Sequence, residues 1–115
     1  MAEAVGAAGT VELPTPDAVG VIPMGAAAGK VALVSNATAL AGACPVATMI
    51  DHVGYGTTAP TTGCTEGVDP TPAPSAVNSV SRAGDGCTDT DNNKADFTAG
   101  PAAPRNAASP KKTCS

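Results

Sequence analysis

The chain has 115 residues, which suits one domain or part of one, and its 10 acidic and 6 basic side chains give a formal net charge of −4. The dispersed bases and the 2% aromatic content argue against direct binding of duplex or single-stranded nucleic acid, which needs clustered cations or aromatic stacking platforms. With no Trp, one Phe and one Tyr, large apolar side chains are too scarce to build the core of an independent enzyme.

The first twelve residues are rich in Ala and Gly, and we predict that 1–12 is a flexible segment. They contain neither a basic region nor a compact apolar stretch, so we expect no signal peptide in them. No apolar run in the sequence approaches the roughly 18 residues of a membrane span, and we expect no such span.

Two strands are predicted in the first half of the chain. Residues 30–34 form a β-branched run between a glycine and a Ser-Asn turn signal. Residues 47–55 alternate in polarity, which places Met49, Val53 and Tyr55 on one face of the second strand.

Loops dominate the second half of the chain. Residues 56–74 are rich in Thr, Pro and Gly, which favours an extended loop before a short third strand at 76–81. An Asx-rich loop at 85–93 leads into residues 95–97, and the Pro-, Ala- and Lys-rich segment after Gly100 is predicted to be disordered. Short strands between long turn-rich loops indicate a mainly-β fold of the sandwich type.

The four cysteines allow three pairings, and their wide spacings contain no Cys-x-x-Cys motif, so zinc binding is not supported. Cys44 and Cys64 flank the second predicted strand, and a disulfide between them would close a loop of about 20 residues and stabilise the fold by about 3 kcal/mol. Cys87 and Cys114 form the complementary pair, although Cys114 lies in the predicted tail. Disulfides imply an oxidising compartment, whereas four reduced thiols would suit a cytosolic fragment.

The Asx-rich loop carries four closely spaced oxygen-bearing side chains: Asp89, Asp91, Asn93 and Asp96. They are a candidate calcium site, because hard cations prefer carboxylate and amide oxygens. The EF-hand register fails, however, since Lys94 and Gly100 stand where that loop needs Gly and Glu. The favoured interpretation is a set of Asx turns and a cap, in which these oxygens accept hydrogen bonds from loop N–H groups.

His52 is the only histidine, and the sequence arranges no catalytic partners around it. A Ser-His-Asp triad needs an acid on one side of the ring and a nucleophile on the other, but the neighbouring Asp51 points to the opposite face of a strand. The sequence also lacks a G-x-S-x-G motif. We therefore predict no catalytic residues, no cofactor-binding residues and no cofactor.

Several short motifs follow one another in an order typical of a known family. In chain order they are LPTPD (13–17), GKVALV (29–34), IDHVGYG (50–56), PAPS (72–75), SR (81–82), GCTDTDNN (86–93), ADF (95–97) and PAAPRN (101–106). They resemble the C-terminal part of the lamin tail domain, in the version found in secreted bacterial proteins. The N-terminal strands of that family have no counterpart in this chain, and His52 stands where the bacterial pattern usually has Phe.

The resemblance implies an incomplete, loop-rich immunoglobulin-like β-sandwich over 13–106, followed by a disordered tail at 107–115. In bacteria such domains are attached to extracellular nucleases and phosphatase-like hydrolases and are not catalytic themselves. We therefore expect an extracellular attachment or recognition module whose partner is a protein or a hydrolase domain of the parent chain. The alternatives are a calcium-stabilised extracellular binding module that uses the Asx cluster, and a non-functional fragment of a longer secreted protein.

Overall fold

The computed structural model describes residues 12–56 and 63–115, whose regular secondary structure is mainly strand with little helix. The strands pair two by two, so that the first two and the last two form separate antiparallel sheets. In chain order the described elements are β1 (Ala28–Leu33), β2 (Asp51–Gly56), β3 (Asn78–Arg82), α1 (Asn93–Asp96) and β4 (Phe97–Pro101).

β1 and β2 pair along their full length, from Ala28 opposite Gly56 to Leu33 opposite Asp51. The strand predicted at 30–34 is therefore confirmed, with its start two residues earlier and its end one residue earlier. The Ala and Gly at its start carry no strand signal of their own, and they are extended because β2 pairs with them.

β2 is shorter than the predicted strand at 47–55. The prediction fails before Asp51, because Val46–Thr48 is a 3-10 turn. The carbonyl of Pro45 accepts hydrogen bonds from the backbone N–H of Thr48 at 3.2 Å and from its hydroxyl at 3.0 Å. These local hydrogen bonds compete with strand pairing, so pairing begins only after the turn.

β3 and β4 form the second sheet and are paired along their full length. β3 begins two residues later than predicted, because the Ser75 hydroxyl accepts hydrogen bonds from the backbone N–H groups of Val77 and Asn78. β4 is not predicted from the sequence, since only Phe97 and Thr98 in it favour strand structure.

The interior of the described chain is small and mostly polar. Tyr55 donates a hydrogen bond from its hydroxyl to the carbonyl of Gly25 at 2.7 Å, and its ring lies so close to Gly29 that any side chain there would collide with it. Apolar residues such as Val21 and Val68 are exposed. The buried side chains are Tyr55, Cys64, Thr71, Asn93 and Asp96.

The 107–115 segment is the one for which we predict a disordered tail. It contains no helix or strand, but the backbone N–H of Ala107 donates to the Asp17 carboxylate at 2.8 Å. Cys114 forms a disulfide with Cys87. A covalent bond and a long-range hydrogen bond therefore hold this segment against the rest of the domain, an arrangement that composition alone does not predict.

Two predicted segments are described only in part. The predicted flexible segment 1–12 lies, apart from Glu12, outside the described residues. The predicted loop at 56–74 is described at Gly56, which belongs to β2, and from residue 63 onward, where it forms turns and a single parallel bridge between Thr71 and Tyr55. Across 12–56 and 63–115, no helix has both the length and the apolar character that crossing a membrane requires.

Candidate functional site

The side chain of Asn93, the first residue of α1, is completely buried against β2 and the loop that follows it. Its Oδ1 accepts three hydrogen bonds: from the backbone N–H of Gly54 at 2.9 Å, the backbone N–H of Glu66 at 3.1 Å and the hydroxyl of Thr65 at 2.8 Å. An amide oxygen has two lone pairs, so three donors saturate it.

The amide nitrogen of Asn93 faces acceptors. Its Nδ2 donates to the carbonyl of His52 at 3.2 Å and to Glu66 Oε2 at 2.9 Å. The backbone N–H of Asn93 also donates to the Glu66 carbonyl at 2.9 Å. One side chain thus ties α1 to β2 and to the loop around Glu66, and we call this set the Asn93 hub (Asn93, His52, Gly54, Thr65 and Glu66).

Asp96, the last residue of α1, is the second fully buried side chain of the Asx-rich motif. Its carboxylate accepts hydrogen bonds from the backbone N–H of Thr90 at 2.8 Å, the Thr90 hydroxyl at 2.7 Å and the backbone N–H of Asn92 at 3.3 Å. Asn92 in turn caps α1, since its Oδ1 accepts from the backbone N–H of Ala95 at 3.2 Å. The loop before α1 is therefore folded around the Asp96 carboxylate.

Arg82, the last residue of β3, lies among three carboxylates. Its Nη2 is 2.8 Å from Asp51 Oδ2, and its Nη1 is 3.1 Å from Asp89 Oδ1 and 3.9 Å from Asp96 Oδ2. The guanidinium also lies over the ring of Phe97, 4.6 Å from the ring centroid. These contacts neutralise the cation and join both sheets to the Asx-rich loop.

The predicted calcium cluster does not converge on a common point. Asn93 Oδ1 and the Asp96 carboxylate are occupied by protein donors, and Asp89 pairs with Arg82. Asp91 is exposed and adopts a left-handed backbone conformation with φ of 54°, which Asp tolerates in turns. Among the described residues, no metal-ligand group is formed by this loop. The hydrogen bonds to Asp96 from Thr90 and Asn92 are of the local kind that the Asx-turn interpretation expects, whereas the cap is Asn92 and Asn93 accepts from residues distant in the sequence.

The two buried carboxyl groups near α1 are perturbed in opposite directions. The hydrogen bond from the Thr90 hydroxyl, followed by that from the Thr90 backbone, lowers the pKa of Asp96 below its ordinary value of 3.8. Burial, followed by the negative charge of Asp51, raises the pKa of Glu66 above its ordinary value of 4.5. Folding therefore favours the ionised form of Asp96 and disfavours the ionised form of Glu66.

We expect Asp96 to make the fold acid-sensitive. Because its folded pKa is depressed, its stabilising contribution is complete above the unfolded value of 3.8 and is lost as the pH falls through the folded pKa. Asp96→Asn should lower the melting temperature by several degrees at neutral pH. In this variant the melting temperature should also fall less steeply as the pH drops below 3.8. Thermal melts followed by circular dichroism measure both effects.

Glu66→Gln is the control for this prediction, because folding disfavours the charge that it removes. Glu66→Gln should cause no loss of stability at neutral pH. Its melting temperature should still fall below pH 3.8, as that of the wild type does. An acid sensitivity that is the same in Asp96→Asn as in the wild type would contradict the role of the Asp96 carboxylate.

The structure contains both disulfides considered from the sequence. Cys44 is joined to Cys64 and Cys87 to Cys114, each with a Cα–Cα distance of 5.3 Å. The first bridge connects the segment before β2 to the loop after it, and Cys64 is only 3% exposed. The second connects the loop after β3 to the C-terminal segment.

His52 lies beside the first of these disulfides. A ring nitrogen of His52 and the sulfurs of Cys44 and Cys64 all lie within 4.8 Å of one another, and His52 Nδ1 is 3.8 Å from Glu66 Oε1. The neighbouring Asp51 faces Arg82 instead. In the part of the chain that the structure describes, this is the one group of three His, Cys, Asp or Glu side chains close enough to hold a metal ion, and its two sulfurs are joined in the disulfide. The sequence did not bring these three residues together, because their spacings match no zinc motif.

An apolar cavity of about 580 Å³ lies between the two sheets. Val31, Val53 and Tyr55 line it from β1 and β2, and Val80 and Phe97 line it from β3 and β4. The alternation predicts that Met49, Val53 and Tyr55 share a face. Val53 and Tyr55 both border this space, whereas Met49 precedes β2 and does not line it. Val31 is 48% exposed, so the cavity opens to solvent at β1.

No protein-family model, curated protein or solved structure matches this chain. The resemblance to the lamin tail domain therefore rests on the motifs within 13–106. Of these motifs, GCTDTDNN at 86–93 has the best-defined structural role, because it contains Asn93 and the donors that surround the Asp96 carboxylate.

Proposed function

We propose that this chain is a non-catalytic attachment or recognition module of a secreted protein, built as an incomplete sandwich of the lamin tail type. The observation that carries the proposal is the placement of its polar side chains. Asn93 and Asp96 are completely buried, and Arg82 is enclosed by carboxylates, so internal contacts occupy all three. Side chains in such positions hold loops against strands, which is a structural role.

The two sheets support the sandwich part of the proposal. Residues of β1 and β2 face residues of β3 and β4 across the apolar cavity, which is the relation between the two layers of a sandwich. The family that the motifs resemble has additional N-terminal strands. A sandwich with fewer strands leaves apolar surface between its layers, as the exposure of Val31 illustrates.

An extracellular setting is supported by the two disulfides, since such bonds persist in oxidising compartments. A protein is the favoured partner, because the cavity between the sheets is lined mainly by apolar side chains. The net charge of −4 and the neutralised Arg82 disfavour a polyanionic partner.

A retention assay tests this proposal. The chain fused to an inert fluorescent protein should sediment with isolated bacterial cell envelopes in a saturable manner, and treatment of the envelopes with protease should abolish the binding. Val31→Asp places a charge at the cavity opening and should weaken retention at least about tenfold. Val68→Asp is the matched control, since Val68 is 92% exposed and does not line the cavity.

Three outcomes would contradict the proposal. The first is retention no greater than that of the fluorescent protein alone, and the second is equal weakening by the Val31 and Val68 substitutions. The third is hydrolysis of a nitrophenyl phosphate ester by the purified chain: loss of the activity in His52→Phe or Asp96→Asn would place a catalytic residue there, and activity that persists in both would require a catalytic site elsewhere.

A further inference from the structure

Three metal-binding atoms converge beside β2. Cys44 precedes the 3-10 turn, His52 is the second residue of β2, and Cys64 lies in the loop after it. Their two sulfurs and one ring nitrogen lie within 4.8 Å of one another. In a tetrahedral zinc site with metal–ligand distances of about 2.0–2.3 Å, ligand atoms are about 3.3–3.8 Å apart. The two sulfurs, about 2.0 Å apart in a disulfide, would therefore have to separate by about 1.8 Å after reduction, and the His52 nitrogen would have to approach them by about 1 Å.

Glu66 lies outside this three-atom group, as a carboxylate that faces His52. Its Oε1 is 3.8 Å from His52 Nδ1, and its Oε2 accepts a hydrogen bond from Asn93 Nδ2 at 2.9 Å. The same Nδ2 donates to the His52 carbonyl at 3.2 Å, so Asn93 positions both residues in the way that outer-shell groups orient metal ligands. The side chains of His52 and Glu66 are only 15% and 12% exposed, which shields the group from bulk water.

We propose that reduction of the Cys44–Cys64 disulfide converts this group into a zinc site whose protein ligands are the two thiolates and the His52 ring, with Glu66 as the carboxylate that orients His52. In the oxidised protein the sulfurs are bonded to each other and do not bind a metal. Two equivalents of a small-molecule thiol break that bond, which yields two protein thiols and the disulfide of the reductant. Zn²⁺ then replaces the proton of each thiol, so two protons are released for each ion bound.

The ligand set selects the metal. Two thiolates and an imidazole suit Zn²⁺, whereas Ca²⁺ requires six to eight oxygen ligands. The two thiolates of Cys44 and Cys64 neutralise the charge of the ion, which favours binding in a partly buried place. Zn²⁺ has no redox chemistry of its own, so reduction and reoxidation of the sulfurs alone would switch the site.

The other disulfide is an internal control. Cys87 and Cys114 have the same Cα–Cα distance of 5.3 Å as the first pair. Within the described residues, no third metal-binding side chain joins them, and Cys114 is exposed. Reduction of this pair should therefore yield two thiols that do not bind a metal ion. If Zn²⁺ changes the reactivity of Cys44 and Cys64 alone, the zinc site must be formed by that pair.

Cobalt provides the first test. The full chain, reduced with a water-soluble phosphine under anaerobic conditions, should bind one Co²⁺ with a thiolate charge-transfer band and the visible bands of tetrahedral cobalt, and Zn²⁺ should remove both. His52→Phe keeps an aromatic ring and should weaken Zn²⁺ binding at least about 100-fold, and Glu66→Gln should weaken it about 10–100-fold. The Cys87→Ser/Cys114→Ser double variant should bind like the wild type.

Alkylation read by mass spectrometry tests the site without any substitution. Zn²⁺ should slow the alkylation of Cys44 and Cys64 in the reduced chain at least about tenfold and leave Cys87 and Cys114 unaffected, because bound thiolates are poor nucleophiles. Calorimetry in two buffers of different ionisation heat should count close to two protons released per ion. Any of three results would overturn the proposal. They are equal alkylation of all four cysteines in the presence of Zn²⁺, cobalt spectra without tetrahedral bands, and a His52→Phe variant that binds Zn²⁺ as tightly as the wild type.

Discussion

Replacement of Asn93 by alanine is expected to lower the free energy of unfolding by about 3–5 kcal/mol. The substitution removes the acceptor shared by the backbone N–H groups of Gly54 and Glu66, and each unsatisfied buried donor costs about 1–3 kcal/mol. It also removes the hydrogen bonds that Nδ2 donates to His52 and Glu66. Urea unfolding of the oxidised chain, followed by circular dichroism, measures the change.

Two further variants make this result specific. Asn93→Asp keeps the accepting oxygen but turns an oxygen toward the His52 carbonyl and the Glu66 carboxylate, so it should destabilise the fold about as much as alanine does. Asn78→Ala, at an exposed position in β3, is the control and should change stability by less than about 0.5 kcal/mol. A loss below about 1 kcal/mol for Asn93→Ala would show that the Asn93 hub does not hold α1 against β2.

The strands that the sequence predicts are those whose own residues favour strand structure. β1, β2 and β3 each contain apolar or β-branched residues, and their ends differ from prediction where Pro45 and Ser75 form local turns. β4 is extended because β3 supplies its hydrogen-bond partners over five residue pairs, from Arg82 opposite Phe97 to Asn78 opposite Pro101. Pairing of this kind is a property of the partner strand and leaves little trace in local composition.

The two buried residues of α1 differ in how far away in the sequence their hydrogen-bond partners lie. Asp96 contacts Thr90, six residues away, and the turn-and-cap interpretation of the sequence anticipates that kind of local contact. Asn93 contacts Thr65, Gly54 and the carbonyl of His52, at sequence separations of 28, 39 and 41 residues. No turn rule predicts partners at such separations, so the sequence could identify Asn93 as a loop residue but not as the centre of the interior.

Reduction of both disulfides in the presence of a chelator is expected to abolish the cooperative unfolding transition. The Cys44–Cys64 and Cys87–Cys114 bridges span 20 and 27 residues, and loop closure of this size stabilises a fold by about 3–4 kcal/mol for each bridge. The buried apolar side chains in the described chain are those of Tyr55 and Cys64, and domains are stable by only about 5–15 kcal/mol. Far-UV circular dichroism melts of the oxidised and reduced chain measure the effect.

Variants in which serine replaces both cysteines of one disulfide measure how much each disulfide contributes to stability. Loop entropy alone predicts nearly equal losses, but Cys64 is 3% exposed whereas Cys114 lies at the surface. A hydroxyl at position 64 would be buried, so Cys44→Ser/Cys64→Ser should cost about 1–3 kcal/mol more than Cys87→Ser/Cys114→Ser. The reverse order would mean that attachment of the C-terminal segment matters more than closure of the loop around β2. An unchanged melt after reduction would instead assign the stability to the hydrogen bonds of Asn93 and Asp96, because the described apolar interior is too small to supply it.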